Sequence, residues 1–461
     1  MSKTIAESFR NDPRVAEARR LLTAALNDHR QRIQEPTSSH DDLAQAYAKD
    51  LDRFASLRGG PLYYPYIGSG IGNGALVELG DGSIKYDMIT GIGVHGMGHS
   101  HPALLNAGMD AALEDTVMQG NLQQSGTSMT LASQFLGAAN RHAHCMDHCF
   151  LTTSGAMANE NALKIAFNHR QHATRLLAFE RCFAGRTLAL SHMTDKAAYR
   201  VGIPTTIHVD HVPFYDATNP AGSTDRAVAA LNRHIHRHPD MHAVMTLELI
   251  QGEGGYYPGS QSFFEAIMEV LKEHNILVHV DEIQSFGRTS RPFAYQYFNL
   301  SDHVDLVSVG KISQVCATLF RKQLKPMPGI ISQTFTGSSS SIHAAIAILN
   351  ELLHGDYLGD EGRINKIHER FATRFEQLAT KYPDRFRGPF GLGTMIACTV
   401  YDGDPTKTKA FARSLFDAGV IGFIAGAGPM RMRFLPPFAA TTDEDIDAVC
   451  EIIERVLAGG N

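Results

Sequence analysis

The sequences ILVHVDE at residues 276–282 and DLVSVGK at residues 305–311 decide the fold. Each is a short apolar run rich in β-branched residues, which is typical of a strand buried on both faces of a parallel sheet. The first run ends in the carboxylates of Asp281 and Glu282, and the second ends in the amine of Lys311. The pattern predicts neighbouring parallel strands whose polar ends meet at the carboxyl edge of the sheet, where such sheets bind ligands.

A lysine and an aspartate at this edge suit pyridoxal phosphate (PLP). The lysine can form a Schiff base with the cofactor, and the aspartate can keep the pyridinium nitrogen protonated so that the ring accepts electrons. A buried ion pair between Lys311 and Asp281 is the alternative interpretation, because structural pairs also occupy clefts. The two runs alone leave both interpretations open.

The rest of the central sequence continues the same pattern. Strand-like runs at 149–152, 175–180, 206–209 and 243–250 alternate with amphipathic helical stretches. This alternation indicates an α/β fold with a mostly parallel sheet.

The chain of 461 residues is long enough for more than one domain. We predict a large domain at residues 85–340. A smaller α+β domain is expected from residues 341–461, with a contribution from the N-terminal segment 1–84. Within that segment, periodicity predicts a helix at 15–33 and a polar loop at 35–45.

Composition argues against several classes of protein. The net charge of −6, from 42 basic and 48 acidic residues, argues against a nucleic-acid surface. No stretch reaches the roughly 18 apolar residues of a transmembrane helix, and the N-terminus has no signal-peptide core. The six cysteines lack the spacing of a small disulfide scaffold, so we expect reduced thiols in a cytoplasmic enzyme.

The segment RHAHCMDHC at residues 141–149 is crowded with side chains that can bind metals. Zinc sites usually show paired spacings such as Cys-x-x-Cys with a distant second pair, and this segment lacks them. We therefore predict no metal site.

Two motifs after predicted strands suit an anion and an aromatic ring. Ser154, Gly155 and Ala156 are small residues at a predicted helix N-terminus, where backbone N–H groups and the helix dipole favour a phosphate. In the sequence FAGRT at 183–187, Phe183 offers a ring beside the guanidinium of Arg186. A packed phenylalanine and a surface arginine are the alternative for that motif.

Charged residues also mark two later strands. Glu248 and Glu253 follow a predicted strand, and buried glutamates are rarely unpaired, so they face a cleft or pair with arginines. Arg431 and Arg433 alternate along another strand and therefore share one face. An arginine there can hold a substrate carboxylate with two hydrogen bonds, or it can form a salt bridge at the rim.

Taken together and in this order, the motifs resemble those of the class III aminotransferases, which are fold-type-I PLP enzymes. That group includes the acetylornithine, ornithine, 4-aminobutyrate and lysine ε-aminotransferases. The resemblance covers about residues 60–440. Its carriers are GHSHP at 98–102, SGAMANE at 154–160, FAGRT at 183–187, ELIQGEGG at 248–255, DEIQ at 281–284, GK at 310–311, TFTG at 334–337 and RFLPP at 433–437.

The resemblance implies a role for each residue around the ring of PLP. Lys311 is similar to the Schiff-base lysine that also moves the proton, and Asp281 to the partner of the pyridinium nitrogen. Gln284 would donate to the phenolic oxygen. Ile283 would pack under the ring, and Phe183 would stack on its other face.

The resemblance also implies how the phosphate is held. Gly155 and Ala156, next to Ser154, would cradle the phosphate. Glu248 would lie deeper in the cofactor site and help to hold the region of Glu253 and Arg433. Thr334 resembles a threonine that reaches the PLP phosphate of a partner subunit, so the active unit would be a homodimer.

For the substrates, the resemblance implies that Arg433 binds the α-carboxylate of 2-oxoglutarate or glutamate. Glu253 would pair with Arg433 when another substrate is bound, and Arg186 is a second candidate for a carboxylate. The implied reaction is a ping-pong transfer of the amino group of an ω-amino acid or related amine to 2-oxoglutarate. An aminomutase, a racemase or a decarboxylase on the same fold is an alternative, because the protein selects which bond PLP breaks. A PLP-binding regulator is a further alternative.

Overall fold

The computed structural model describes residues 4–459. The helices are α1 (Ile5–Arg10), α2 (Pro13–Arg30), α3 (Asp41–Arg58), α4 (Thr90–Gly93), α5 (Pro102–Ala112), α6 (Gly126–Ala139), α7 (Gly155–His169), α8 (Leu190–Met193), α9 (Pro220–Arg237), α10 (Gly252–Gly255), α11 (Gln261–Glu273), α12 (Ala294–Tyr297), α13 (Ser339–His354), α14 (Arg363–Lys381), α15 (Pro405–Asp417) and α16 (Asp443–Gly459).

The strands are β1 (Gly68–Asn73), β2 (Leu76–Leu79), β3 (Ile84–Asp87), β4 (Met118–Gln119), β5 (His148–Thr152), β6 (Arg175–Phe179), β7 (His208–Val212), β8 (His242–Leu247), β9 (Ile250–Gln251), β10 (Tyr257–Pro258), β11 (Leu277–Glu282), β12 (Leu306–Val309), β13 (Cys316–Phe320), β14 (Gly337–Ser338), β15 (Phe386–Leu392), β16 (Met395–Val400), β17 (Val420–Ile421), β18 (Phe423–Ala425) and β19 (Arg431–Phe434).

The chain folds into two compact units. The central unit comprises Asp115–Gly362 and Gly391–Gly393, and the terminal unit comprises the remaining described residues. Their boundaries differ from the predicted ones in three places, of which Gly391–Gly393, in the central unit, is the smallest. Residues 85–114 belong to the terminal unit, where α5 packs against α2, and residues 341–362 belong to the central unit, where α13 packs against α6.

A seven-stranded sheet in the order β5-β13-β12-β11-β8-β6-β7 forms the centre of the central unit. β13 is antiparallel to both of its neighbours, and the other pairs of adjacent strands are parallel. The predicted neighbours are confirmed, because β11 and β12 lie side by side and parallel, with Asp281 opposite Ser308. Their carboxyl ends therefore meet at one edge of the sheet.

A buried chain of hydrogen bonds crosses the middle of this sheet. His279 on β11 approaches Thr246 Oγ1 on β8 at 3.1 Å through Nδ1, and Ser308 Oγ on β12 at 2.8 Å through Nε2. Burial lowers the pKa of His279 to about 3, so the ring is neutral at physiological pH. A neutral imidazole has one donor and one acceptor nitrogen, so one hydroxyl donates to the ring and the other accepts. The chain ties together the strands that lead to Glu248, Asp281 and Lys311.

A second polar cluster lies at the opposite, amino-terminal edge of the same sheet. Asp210 on β7 accepts two hydrogen bonds of 2.7 Å from Arg175 on β6, and its carboxylate lies 2.8 Å from His242 Nε2 on β8. Burial acts to raise the pKa of Asp210, but the hydrogen bonds from His242 and Arg175 outweigh it and leave that pKa below its usual value. The cluster is an ion-pair network at the other end of the strands from the edge that carries Asp281 and Lys311.

The terminal unit contains two four-stranded sheets, β1-β2-β3-β17 and β15-β16-β19-β18. The predicted loop at 35–45 is wrong in its second half, because α3 begins at Asp41. Asp41 and Asp42 occupy the first turn of this helix, where negative charge stabilises the dipole. The helix ends at Gly59, whose φ of 77° is a left-handed conformation that glycine adopts without strain.

Three further observations bear on the predictions from composition. Within residues 4–459, no helix is long and apolar enough to cross a membrane. The six cysteines, all within the same range, carry free thiols. Over those residues, no group of three or more histidine, cysteine or acidic side chains is arranged to hold a metal ion.

Candidate active site

The turn that carries Lys311 is fixed by its surroundings in the central unit. Lys311 starts a short 3-10 helix between β12 and β13, and its φ of 51° is a left-handed conformation that costs energy for a residue with a side chain. A Cβ on Gly310 would lie 2.6 Å from Cys316 Sγ and 3.1 Å from Ile283 Cδ1, so the backbone approaches these side chains too closely for any other residue. The amine is thus held on a tight turn at the end of β12.

Asp281 is a buried carboxylate with two hydrogen-bond donors. Its Oδ2 accepts from Asn159 Nδ2 at 2.7 Å, and its Oδ1 accepts from the backbone N–H of Ile283 at 2.9 Å. Burial raises the pKa of Asp281, while these two hydrogen bonds and the charge of Lys311 act to lower it. Asp281 and Lys311 thus lie at the ends of the neighbouring strands β11 and β12.

Glu248 joins two loops of the site. Its Oε2 accepts from the backbone N–H of Phe183 at 2.8 Å, and its Oε1 accepts from that of Gly252 at 3.1 Å. Burial and then the charge of Asp281 raise the pKa of Glu248 to about 8, against the lowering effect of both N–H groups and of Lys311. Glu248 therefore fastens the turn of Phe183 to the segment that follows β8.

The N-terminus of α7 lies against Ile283. Ser154 caps the helix, because its Oγ accepts from the N–H of Met157 at 3.2 Å. A Cβ on Gly155 would lie 2.9 Å from Ile283 Cγ2, so the glycine lets Ile283 pack against the first turn. The first N–H groups of a helix have no acceptor within the helix, and the dipole there favours an anion. The arrangement suits a phosphate beside Ile283.

Gln284 brings the DEIQ segment against the loop after β8. A Cβ on Gly252 would lie 2.6 Å from Gln284 Nε2, so this glycine accommodates the amide. The predicted residues Glu248 and Gln284 are thus linked through Gly252, and Asp281 precedes Gln284 by three positions. Phe183 presents its ring edge-on to Tyr199, with 6.4 Å between centroids.

The structure places three other predicted residues at separate positions. Arg186 is exposed, with its guanidinium 4.1 Å from the ring centroid of Tyr199. Glu253 lies in the short helix α10. Thr334 is exposed, and its carbonyl lies so close to Gly120 that a Cβ there would be 1.8 Å away. The substrate and phosphate roles of these residues stay predictions.

Arg433 belongs to the terminal unit, where it lies on β19. It is paired with Ala397 on β16 and with Phe423 on β18, and its guanidinium lies 5.5 Å from the ring centroid of Phe423. The side chain is buried. Its role in binding a substrate carboxylate also stays a prediction.

Asn159 is a residue of the site to which sequence reasoning assigned no role. It donates from Nδ2 to Asp281 and also to the backbone oxygen of Ala184 at 2.8 Å. The available signal was a polar residue on a helix face that is otherwise lined by alanines such as Ala158 and Ala162. That signal shows burial but does not identify the partners.

The segment at residues 141–149 has structural contacts. His144 Nε2 lies 3.0 Å from Asp147 Oδ1, and Asp147 Oδ2 accepts from the N–H of Lys322 at 2.8 Å. Cys145 is buried, with Sγ 3.4 Å from the backbone oxygen of Ala139 and 3.6 Å from Tyr295 Oη. His144, Cys145 and Asp147 therefore make structural contacts around α6 and the end of β13.

The central unit offers the groups that PLP requires. A lysine amine, a buried aspartate, an amide and a helix N-terminus converge at the carboxyl edge of one sheet. The cradle at Gly155 and Gly310 surrounds Ile283 and would be filled by any larger residue at either position. The residues therefore fit the cofactor.

Comparisons with known proteins agree with this geometry. The family model for Aminotransferase class-III matches residues 69–457. Acetylornithine aminotransferase of Bacillus subtilis (strain 168) is 31% identical over 395 residues, which cover 83% of this chain and 93% of the relative. A probable 4-aminobutyrate aminotransferase of the same organism is 31% identical over 433 residues, covering 85% and 95%.

Among solved structures, lysine aminotransferase from M. tuberculosis has a similar fold, with a TM-score of 0.79 at 23% identity. The match covers 88% of this chain and 99% of that structure. The sheet, the lysine and aspartate at its edge, and these matches define a PLP-dependent transaminase of fold type I. The chain belongs to the class III aminotransferase family.

Proposed function

We propose that the protein transfers the amino group of an ω-amino acid or a related amine to 2-oxoglutarate by a ping-pong mechanism. The observation that carries this proposal is the equal identity of 31% to relatives named for acetylornithine and 4-aminobutyrate. Both compounds have an amine several carbons away from a carboxylate. The donor is therefore expected to be an amine of the lysine, acetylornithine or 4-aminobutyrate type.

The proposed roles in chemistry follow from the charges at the sheet edge. When bound, PLP supplies an electron-accepting ring that stabilises negative charge at the carbon losing its proton. Lys311 would bind the cofactor and would move the proton from the amine-bearing carbon of the donor through its Nζ. Asp281 would hold the proton on the pyridine nitrogen, and its burial would strengthen that interaction because water is excluded. The N-terminus of α7 would bind the phosphate, and Gln284 would donate to the phenolic oxygen.

We also propose that Arg433 binds the carboxylate of 2-oxoglutarate, that Glu253 neutralises it for other substrates, and that Arg186 assists with a second carboxylate. Replacing Arg433 with glutamine should raise the KM for 2-oxoglutarate by at least about tenfold, because one bidentate charge-assisted contact is lost. The KM for an uncharged aldehyde acceptor should stay unchanged. Equal effects on both acceptors would contradict this role.

The proposed active unit is a homodimer. The ribbon formed by β4 and β14 and the loops beside it present apolar side chains to solvent: Leu122 is 98% exposed, Phe335 is 46% exposed, and Met118 is also exposed. Thr334 adjoins Phe335, so a second copy that covers this apolar face would lie next to Thr334. This supports the proposal that Thr334 reaches the phosphate in the partner subunit.

Sedimentation of a charged variant tests the dimer. Leu122→Asp should dissociate it, since a carboxylate in a covered apolar face is costly. Leu57→Asp, which changes another exposed leucine on α3, is the matched control. In the dimer, Thr334→Ala should weaken PLP binding without dissociation. A monomeric wild-type protein would refute the proposal.

We further propose a cytoplasmic location, consistent with the free thiols.

The test of function uses the PLP-loaded protein and single amines in the absence of an acceptor. Lysine, ornithine, acetylornithine, 4-aminobutyrate and glutamate are added separately, and the visible absorption of PLP is followed. We expect one ω-amine to deplete the band, and 2-oxoglutarate to restore it with formation of glutamate. Lys311→Ala should abolish the response, whereas Lys322→Ala, an exposed lysine after β13, should not.

Two results would overturn the assignment. A donor that is consumed or isomerised without any acceptor would indicate an aminomutase, a racemase or a decarboxylase. A PLP band that no amine changes would indicate a binding protein.

A further inference from the structure

Asn159 is an almost fully buried amide, 1% exposed, on the face of α7 that covers the sheet. Its Nδ2 donates to Asp281 Oδ2 at 2.7 Å and to the backbone oxygen of Ala184 at 2.8 Å. Both partners only accept when the carboxylate is ionised, so the amide nitrogen must face them and the orientation of the side chain is fixed. Within residues 4–459, the other amide atom, Oδ1, is buried with no hydrogen-bond partner.

This single side chain connects three parts of the site. It projects from α7, whose first turn holds Gly155, and it binds Asp281 at the end of β11. It also binds Ala184, in the turn whose N–H at Phe183 is held by Glu248. A buried amide with an unmet oxygen is costly, so the two donated hydrogen bonds must offset that cost.

We propose that Asn159 is a positioning residue for PLP, which fixes the Asp281 carboxylate and keeps it the charged acceptor that the pyridine nitrogen requires. A hydrogen bond donated to a carboxylate favours its charged form. Without Asn159, Asp281 retains the N–H of Ile283 but loses its side-chain donor, and burial then favours the neutral acid. A neutral Asp281 cannot hold the positive charge of a protonated ring nitrogen. The inference concerns cofactor binding only and does not depend on the identity of the amine donor.

The experiment measures PLP affinity of the apoprotein by absorption titration, with no amine present. Asn159→Ala should weaken PLP binding by about tenfold to hundredfold, since a hydrogen bond to a charged group is lost. The matched control is Asn161→Ala, which removes another buried asparagine, 2% exposed, from the same helix. Among the described residues the Nδ2 of Asn161 has no hydrogen-bond partner, so Asn161→Ala should leave PLP affinity unchanged.

A second variant should show a pH dependence of PLP binding that a purely structural role of Asn159 does not produce. Asn159→Asp places two carboxylates in contact, and such a pair retains one proton at a raised pH. The protonated partner then donates a hydrogen bond in place of the amide. PLP binding by Asn159→Asp should therefore approach that of the wild type at about pH 5 and weaken as the pH rises through neutrality.

The outcomes separate cleanly. The inference would be overturned if Asn159→Ala and the control Asn161→Ala bound PLP with the same affinity. It would also be overturned if the PLP affinity of Asn159→Asp, relative to wild type, did not change with pH. If Asn159→Ala fails to fold, the pH series of Asn159→Asp decides alone. Loss of donor turnover with intact PLP binding would instead bear on the proposed function.

Discussion

The close contact at Gly310 allows a prediction whose size follows from the structure. A Cβ at this position would lie 2.6 Å from Cys316 Sγ, about 1 Å inside ordinary van der Waals contact. Gly310→Ala should therefore destabilise the central unit by about 1–3 kcal/mol, the usual cost of overpacking. Cys316→Ala alone removes a buried sulfur and should cost about 1 kcal/mol. In the double variant the alanine occupies the space that the sulfur vacates, and its remaining close neighbour is Ile283 Cδ1 at 3.1 Å.

The loss of stability in the double variant should be smaller than the sum of the two single losses by at least about 1 kcal/mol. A coupling of this size is expected only of residues in contact. Thermal midpoints of the apoprotein measure it, because a unit of roughly 250 residues shifts by about 2–4 °C per kcal/mol. PLP affinity should recover in parallel, since the same turn carries Lys311. Additive losses in the double variant would refute the reasoning, because the sulfur would then not be what excludes a side chain at Gly310.

Three further predictions concern buried polar groups and are read from thermal midpoints. Burial raises the pKa of Glu248 to about 8. Protonated Glu248 therefore makes its full contribution to the free energy of unfolding below the unfolded pKa near 4.5, and this contribution is lost as the pH rises towards 8. Glu248→Gln should therefore gain stability relative to wild type between those values, and parallel pH curves would contradict this. Burial acts to raise the pKa of Asp210, but its hydrogen bonds outweigh burial and lower that pKa. The charged carboxylate therefore stabilises the fold above the unfolded pKa near 3.8, and this stabilisation is lost as the pH falls below that value. Asp210→Asn should thus be less stable than wild type at pH 7, and the difference should shrink in acid; a constant difference would exclude ionisation as the cause. His279→Leu should cost about 1–3 kcal/mol for each hydroxyl left unpaired, at Thr246 and Ser308, and replacing both by valine and alanine should restore most of the loss. A triple variant no better than the single one would show that the hydrogen bonds are not the source.

The parallel core of the sheet could be predicted from sequence because a strand buried on both faces is a continuous apolar run. β11 and β12 are such strands, and their polar ends mark the site. β13 escaped prediction, because CATLF at 316–320 follows the lysine turn so closely that it looks like part of a loop. Its direction follows from the short turn after β12, with which it pairs antiparallel, but its other partner, β5, lies more than 150 residues earlier, and no local pattern encodes that second pairing.

The residues of the candidate site likewise differ in whether the sequence alone could identify them. Lys311, Asp281 and Glu248 sit at strand ends, so a residue type and a position suffice to find them. Asn159 required knowledge of a carbonyl at Ala184, which belongs to another turn and carries no sequence signature. The start of α3 at Asp41 was missed because the segment is polar, and Tyr47 is its one buried side chain among the described residues.

The position of β13 has a consequence for synthesis of the chain. β5, which leads into α7 and the turn proposed to bind the phosphate, is an edge strand that pairs with β13 in the sheet. A nascent chain therefore cannot attach β5 to the strands bearing Asp281 and Lys311 until residues up to Phe320 have left the ribosome. At about 5–20 residues per second, that interval after Thr152 is roughly 10–30 s. PLP that is present during translation should therefore protect a nascent chain from protease only after Phe320 of that chain has emerged from the ribosome.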